Sequence, residues 1–158
     1  MQNYKVGIGQ DSHRFLEAIG DKPCVVAGLV FEGVPGLSAD SDGDVVFHAI
    51  CNAITSITHV PVLGGLAIEL CKQGVKDSSV YLKKALETLG HTAIAHVAIT
   101  IEGARPKFQH HCDRMRENTA KCMGLDLSQV GMTFTSGDGL SEFGKGTGLM
   151  CFCVITVY

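Results

Sequence analysis

The feature that most constrains this chain is an apolar stripe: Val45, Val46, Ala49, Ile50, Ala53, Ile54 and Ile57. Steps of one, three and four residues repeat around a helix, so the spacing predicts a helix over 42–57 with one broad apolar face. A face of that width has to be covered, and the chain supplies strands to cover it. Residues 94–102 alternate Ile94, His96, Ala98 and Thr100 against Ala95, Val97, Ile99 and Ile101, the pattern of a half-buried strand. Residues 4–9 read as a strand ending in a glycine-punctuated turn, and 24–31 as a hairpin around Gly28. Pro61 and Gly64-Gly65 break the first helix into a loop. A second helix runs from 78 or 79 to 89 and stops at Gly90. Pro106 opens a third, running to about 123 and closed by Gly124. Residues 130–136 and 148–158 are the last strands. The order ββ–α–α–β–α–β–β predicts an α+β fold, a single mixed β-sheet with helices packed on one face, and 158 residues fit a single domain over 1–158.

Composition narrows the function classes. Apolar residues make up 46% of the chain and charged residues 18%, with net charge −3 and no Lys/Arg run, which argues against nucleic-acid and membrane-surface partners. The first residues form no apolar signal core, and no segment approaches the ~18 apolar residues of a membrane helix. Seven cysteines, none in a C-x-x-C pair, fall mostly in apolar runs. They read as buried structural thiols in a reducing compartment, hence a cytoplasmic protein.

Two short runs carry chemistry. Asp11 and His13 are two apart in an extended segment and aim the same way. In the run from Ser41 to His48, Ser41 or Asp42 can cap the helix, and His48 lies one turn after Asp44. One carboxylate and two imidazoles form a three-ligand zinc set with a fourth position open, the arrangement of a catalytic site. Thr135 and Ser136 follow a strand end with glycines on either side of Asp138, offering donors to phosphate and a carboxylate for Mg²⁺. Gly144-Lys145-Gly146-Thr147-Gly148 lacks the Walker spacing and reads as a tight bend. Gly103-Ala104-Arg105-Pro106-Lys107 would place two cations at a helix start, an anion site.

Together these segments resemble the 2-C-methyl-D-erythritol 2,4-cyclodiphosphate synthase family. The likeness runs from Lys5 to about Val157 through Gly9-Gln10-Asp11-Ser12-His13, Ser41-Asp42-Gly43-Asp44 with His48, Asp77-Ser78, Pro106-Lys107, Thr135-Ser136-x-Asp138 and Gly144-Lys145-Gly146. The resemblance implies a homotrimer with active sites between subunits and zinc on Asp11, His13 and His48. Thr135 and Ser136, with the backbone of 103–107, would hold a cytidine diphosphate group. Asp138, where the family has Glu, would face Mg²⁺ (or Mn²⁺). Ser41 and the amides after it would meet the substrate phosphate. The implied reaction takes 4-diphosphocytidyl-2-C-methyl-D-erythritol 2-phosphate to the cyclic diphosphate and CMP, with the 2-phosphate attacking the β-phosphorus in line.

The chain departs from the family pattern at named places. Asp40 stands where the family has a phosphate-contacting His. Residues 60–69 replace a segment of the type G-D-I-G-x-x-F-P-D. Lys145 and Thr147 replace Arg and Glu. The alternative these changes suggest is a catalytically impaired, zinc-dependent cytidine-nucleotide-binding protein. A zinc hydrolase is a third reading, and it lacks a placed general base.

Overall fold

The computed structural model describes residues 3–158, and in it the helix that the apolar stripe demands is covered by a strand. Strand β1 (Lys5–Arg14) lies under helix α1 (Val45–Thr58). β1 runs five residues beyond the expected end at Gly9, so Gly9 is a strand residue, as Gly7 is, and not the punctuation of a turn. Their missing side chains make room. A Cβ at Gly7 would sit 2.3 Å from the Ala53 carbonyl oxygen, and one at Gly9 would sit 2.1 Å from that of Ala49. Helix and strand therefore touch backbone to backbone.

The remaining elements are the hairpin β2 (Cys24–Val26) and β3 (Leu29–Phe31), α2 (Gly65–Lys72), α3 (Ser78–Glu87), β4 (Ile94–Glu102), α4 (Cys112–Met123), β5 (Val130–Thr135) and β6 (Gly148–Val157). The expected single sheet is two: a mixed one in the order β1-β6-β4-β5, with β4 and β5 parallel and the other pairs antiparallel, and the separate β2–β3 hairpin, which pairs with none of these strands. A register shift between Ile94 and His96 turns Ile94 to the buried side, so it joins Val97, Ile99 and Ile101 instead of His96 and Ala98.

Four expectations are corrected. α2 forms where a loop was expected: it buries Ala67, and Val62 and Leu70 pack into the same core. The cap of α1 is Asp44, not Ser41 or Asp42; its carboxylate accepts the amides of Val46 and Phe47. Pro106 does not open a helix. The amides of Gly103 and Ala104 are bonded to Thr135 and Phe143 carbonyls, which ties this segment to the sheet, and α4 starts only at Cys112. Arg105 and Lys107 therefore do not flank a helix N-terminus. Finally, Cys24, Cys51, Cys151 and Cys153 are buried, but Cys71, Cys112 and Cys122 are partly exposed; all seven are free thiols.

Helix α1 covers β1 and β6, α4 packs on β5, and α3 contacts both helices. The opposite sheet face stays open, with Val6 and Ile8 66% and 61% exposed and Phe152 and Val154 partly so. Ile8, Val154 and Ala98 form one row across three strands. No helix among the described residues is long and apolar enough to cross a membrane.

Candidate active site

The close approach of α1 to β1 sets three side chains against one another. Asp11 and His13 point from β1 toward the helix, and His48 sits in the first turn of α1. His48 Nδ1 lies 3.0 Å from Asp11 Oδ2, His13 Nε2 lies 3.0 Å from the same oxygen, and the two nitrogens are 3.2 Å apart. Ligands held ~2.0–2.1 Å from a tetrahedral ion are separated by about 3.3 Å, so this triangle is one face of a tetrahedron. The donor set, two imidazoles and one carboxylate, suits a divalent cation of the zinc type. Among the described residues it is the one cluster of three or more such donors. Burial would raise the Asp11 carboxyl, but hydrogen bonds from His13 and His48, and their charge, hold it down at about 2. It is an anion at neutral pH.

The triangle opens onto a cleft of about 400 Å³. Asp40 and Ser41 line it on one side; Leu63, Ala67, Ile68 and Cys71, in and just before α2, line another, with Tyr81 from α3. Asp40 is exposed, whereas Ser41 is buried and its hydroxyl accepts the Gly43 amide. The apolar wall escaped sequence reasoning. Its signal was the helical spacing of Leu63, Ala67 and Cys71, which the Gly64-Gly65 pair obscured.

Behind the triangle, Asp44 is fully buried and accepts four amides, from Ala27, Gly28, Val46 and Phe47. Burial and the charge of Asp42 push its carboxyl up to about 6, against the pull of those amides. Asp44 thereby ties the β2–β3 turn to the start of α1 and fixes where His48 stands.

A second cleft, of about 240 Å³, gathers five of the residues singled out in the sequence: Gly103, Pro106, Lys107, Thr135 and Ser136. Phe108, Gln109 and Phe134 complete it, and the two phenylalanine rings stack at 5.2 Å. Ser136 Oγ donates to Asp138 Oδ1 at 3.0 Å and accepts the Asp138 amide; Asp138 itself does not line the cleft and has a left-handed conformation, φ 47°. Lys145 lines neither cleft; it pairs with Glu142 at 2.9 Å on the surface.

Residues 4–158 match the family model described as the YgbB family. The chain belongs to the YgbB family. The 2-C-methyl-D-erythritol 2,4-cyclodiphosphate synthase of Chlamydia caviae is 56% identical over 156 residues, covering 98% of this chain and 89% of that protein. Among solved structures, the same-named synthase of Plasmodium vivax superposes with a TM-score of 0.81 at 24% identity, over 99% of this chain and 98% of that one. The Plasmodium falciparum IspF complex with CDP gives 0.81 at 20% identity, over 98% and 95%. At those identities the likeness shows the fold alone.

Proposed function

We propose that this chain is a single-domain cytoplasmic enzyme of the non-mevalonate isoprenoid route. It converts 4-diphosphocytidyl-2-C-methyl-D-erythritol 2-phosphate to 2-C-methyl-D-erythritol 2,4-cyclodiphosphate and CMP, as a phosphorus–oxygen lyase. The observation that carries this reading is the Asp11–His13–His48 triangle, in a chain that matches synthases of that name over 98% of its length.

In this reading the reaction is intramolecular, so the protein's work is to fold the substrate back on itself. Orientation of that kind lowers a barrier by ~7–11 kcal/mol. The cytidine end occupies the cleft of Gly103, Pro106, Lys107, Thr135 and Ser136, with Phe108 and Phe134 as its apolar wall. The diphosphate reaches the Asp11–His13–His48 corner, and the 2-phosphate lies beside Ser41. Asp11, His13 and His48 would hold zinc and Asp138 would hold Mg²⁺, and when bound these ions would supply Lewis-acid withdrawal of charge from the diphosphate. The attacking phosphate oxygen is already an anion, so no side chain has to remove a proton. Leu63, Ala67 and Ile68 keep water from competing as nucleophile.

Three observations support a homotrimer with sites between subunits. The clefts share no lining residue. Metal corner and nucleotide cleft lie on the two edge strands, β1 and β5, three strand spacings or about 14 Å apart. The open apolar sheet face of Val6, Ile8, Phe152 and Val154 is a surface that association would cover.

³¹P NMR of the diphosphocytidyl substrate with purified protein and Mg²⁺, before and after zinc is stripped, tests the reading. CMP and a new cyclic-diphosphate pair of signals, lost without zinc, are expected. An unchanged spectrum with zinc-dependent binding of CDP would favour the binding-protein reading instead. The observation behind that second reading is Asp40, an exposed carboxylate lining the cleft where phosphate is to sit.

A further inference from the structure

His48 has two ring nitrogens, and only Nδ1 faces the triangle. Its Nε2 points the other way, into protein, where two hydroxyls approach it. Ser78 Oγ is 2.9 Å away and Ser41 Oγ is 3.4 Å away. Ser78 is the first residue of α3, thirty residues from His48, and is fully buried. Its hydroxyl donates a hydrogen bond to Asp42 Oδ1, while Asp42 Oδ2 accepts the Ser78 amide at 3.0 Å. Asp42 Oδ1 also accepts the Asp44 amide.

The donor and acceptor roles along this chain are fixed by chemistry. Ionised Asp42 can only accept, so the Ser78 hydroxyl proton goes to Asp42. Ser78 Oγ is then left as an acceptor toward His48, and Nε2 must carry the ring proton to meet it. With one ring proton held on Nε2, the proton that Nδ1 shares with the Asp11 carboxylate in the metal-free chain is the one a metal ion would displace, and Nδ1 is then left with the lone pair a metal-binding imidazole needs. The alternative tautomer would set an unprotonated Nε2 against an oxygen with no proton to give.

We propose that Ser78, polarised by Asp42, is a positioning residue that fixes the tautomer and ring orientation of His48 for metal binding. The inference rests on the reading of the triangle as a metal site. Ser41 is the lesser partner, because its hydroxyl is farther away and already accepts the Gly43 amide. Ser78 is also not the cap of α3, since that is Asp77, whose carboxylate accepts the Ser79 amide. Removing the Ser78 hydroxyl thus leaves the helix start intact.

The test is the zinc dissociation constant of the whole protein by competition with a chromophoric chelator, alongside urea unfolding of the zinc-free protein. Ser78→Ala is expected to weaken zinc binding by roughly 10–100-fold, the usual cost of losing a partner behind a metal-bound histidine, with little change in the zinc-free midpoint. Ser41→Ala should stay within about threefold of wild type. Ser78→Thr, which keeps the hydroxyl, should recover most of the loss. Asp42→Asn should weaken binding less than Ser78→Ala, and adding it to Ser78→Ala should cost no more affinity, because the relay is already cut. If Ser78→Ala binds zinc within threefold of wild type while His48→Ala loses it, the positioning role is overturned and the triangle stands. If His48→Ala binds as wild type does, the triangle reading falls and takes this inference with it.

Discussion

The metal corner and the nucleotide cleft are built by opposite strategies. At the corner, each group is held from segments far apart in the chain: Asp44 binds amides of the β2–β3 turn and of α1, and His48 is held by β1 on one ring nitrogen and α3 on the other. In the nucleotide cleft the polar groups are exposed and bonded to neighbours two residues away, as with Thr135 to Gly137 and Ser136 to Asp138. A metal site tolerates little error in ligand placement and gains from long-range bracing. A cleft whose donors are satisfied locally can exchange those bonds for a ligand at small cost. One chain thus carries one rigid corner and one adaptable cleft, on opposite edges of its sheet.

The largest expected effects come from breaking the rigid half. His48→Ala should lower kcat by at least ~10³-fold, about 4 kcal/mol of barrier, with loss of bound zinc. A variant that turned over normally without zinc would end the contrast, because the corner would then be bracing nothing. Asp44→Ala comes next. It strips the acceptor from four amides, three of them on residues buried in the core, and should cost about 3 kcal/mol of stability in urea unfolding. A loss under 1 kcal/mol would mean that the corner is not held by Asp44.

A smaller effect depends on pH. The native Asp44 carboxyl keeps its proton up to about pH 6, whereas its ordinary value is 3.8. As pH falls from 7 to 5, the native state takes up a proton that the unfolded chain does not, so acid stabilises the fold through this group. That stability is fully present below about pH 4 and is lost as pH rises through 6. The zinc-free wild type should gain about 1 kcal/mol relative to Asp44→Asn between pH 7 and pH 5. Parallel stability curves for the two proteins would show that the four amides, not burial and Asp42, set the titration.

The same division explains what could be read in the sequence. The residues of the triangle were visible because period-two and period-3.6 patterns bring Asp11, His13 and His48 to defined faces. β4 was bounded correctly because its alternation is clean until the register shift at Ile94. Where tertiary contact overrides the local signal, the reading failed. Gly9 looks like the start of a turn, yet β1 runs on through it, because α1 needs the space that Gly7 and Gly9 leave. Gly64-Gly65 looks like a loop, yet α2 begins at Gly65 and has no side-chain cap to announce it. Pro106 looks like a helix start, yet the amides just before it are bound to the sheet and the 143 loop. The role of Ser78 depends on a partner thirty residues away, and no local pattern carries that.

The smallest effect probes the adaptable half. In the free chain the Ser136 hydroxyl is bonded to Asp138 Oδ1, and Oγ also accepts the Asp138 amide. Ser136→Ala removes one ligand donor and one local bond together, so the loss on binding is partly offset by a loss already taken in the free protein. That offset is the physical content of adaptability. Substrate KM should rise about three- to fivefold, up to ~1 kcal/mol, with kcat nearly unchanged, because the donor contacts the substrate equally before and during reaction. Zinc affinity should not move, since the two clefts share no residue. A fall in kcat with unchanged KM would place Ser136 in the transition state instead. The nucleotide cleft would then be as exacting as the metal corner, and the contrast between the two halves would dissolve.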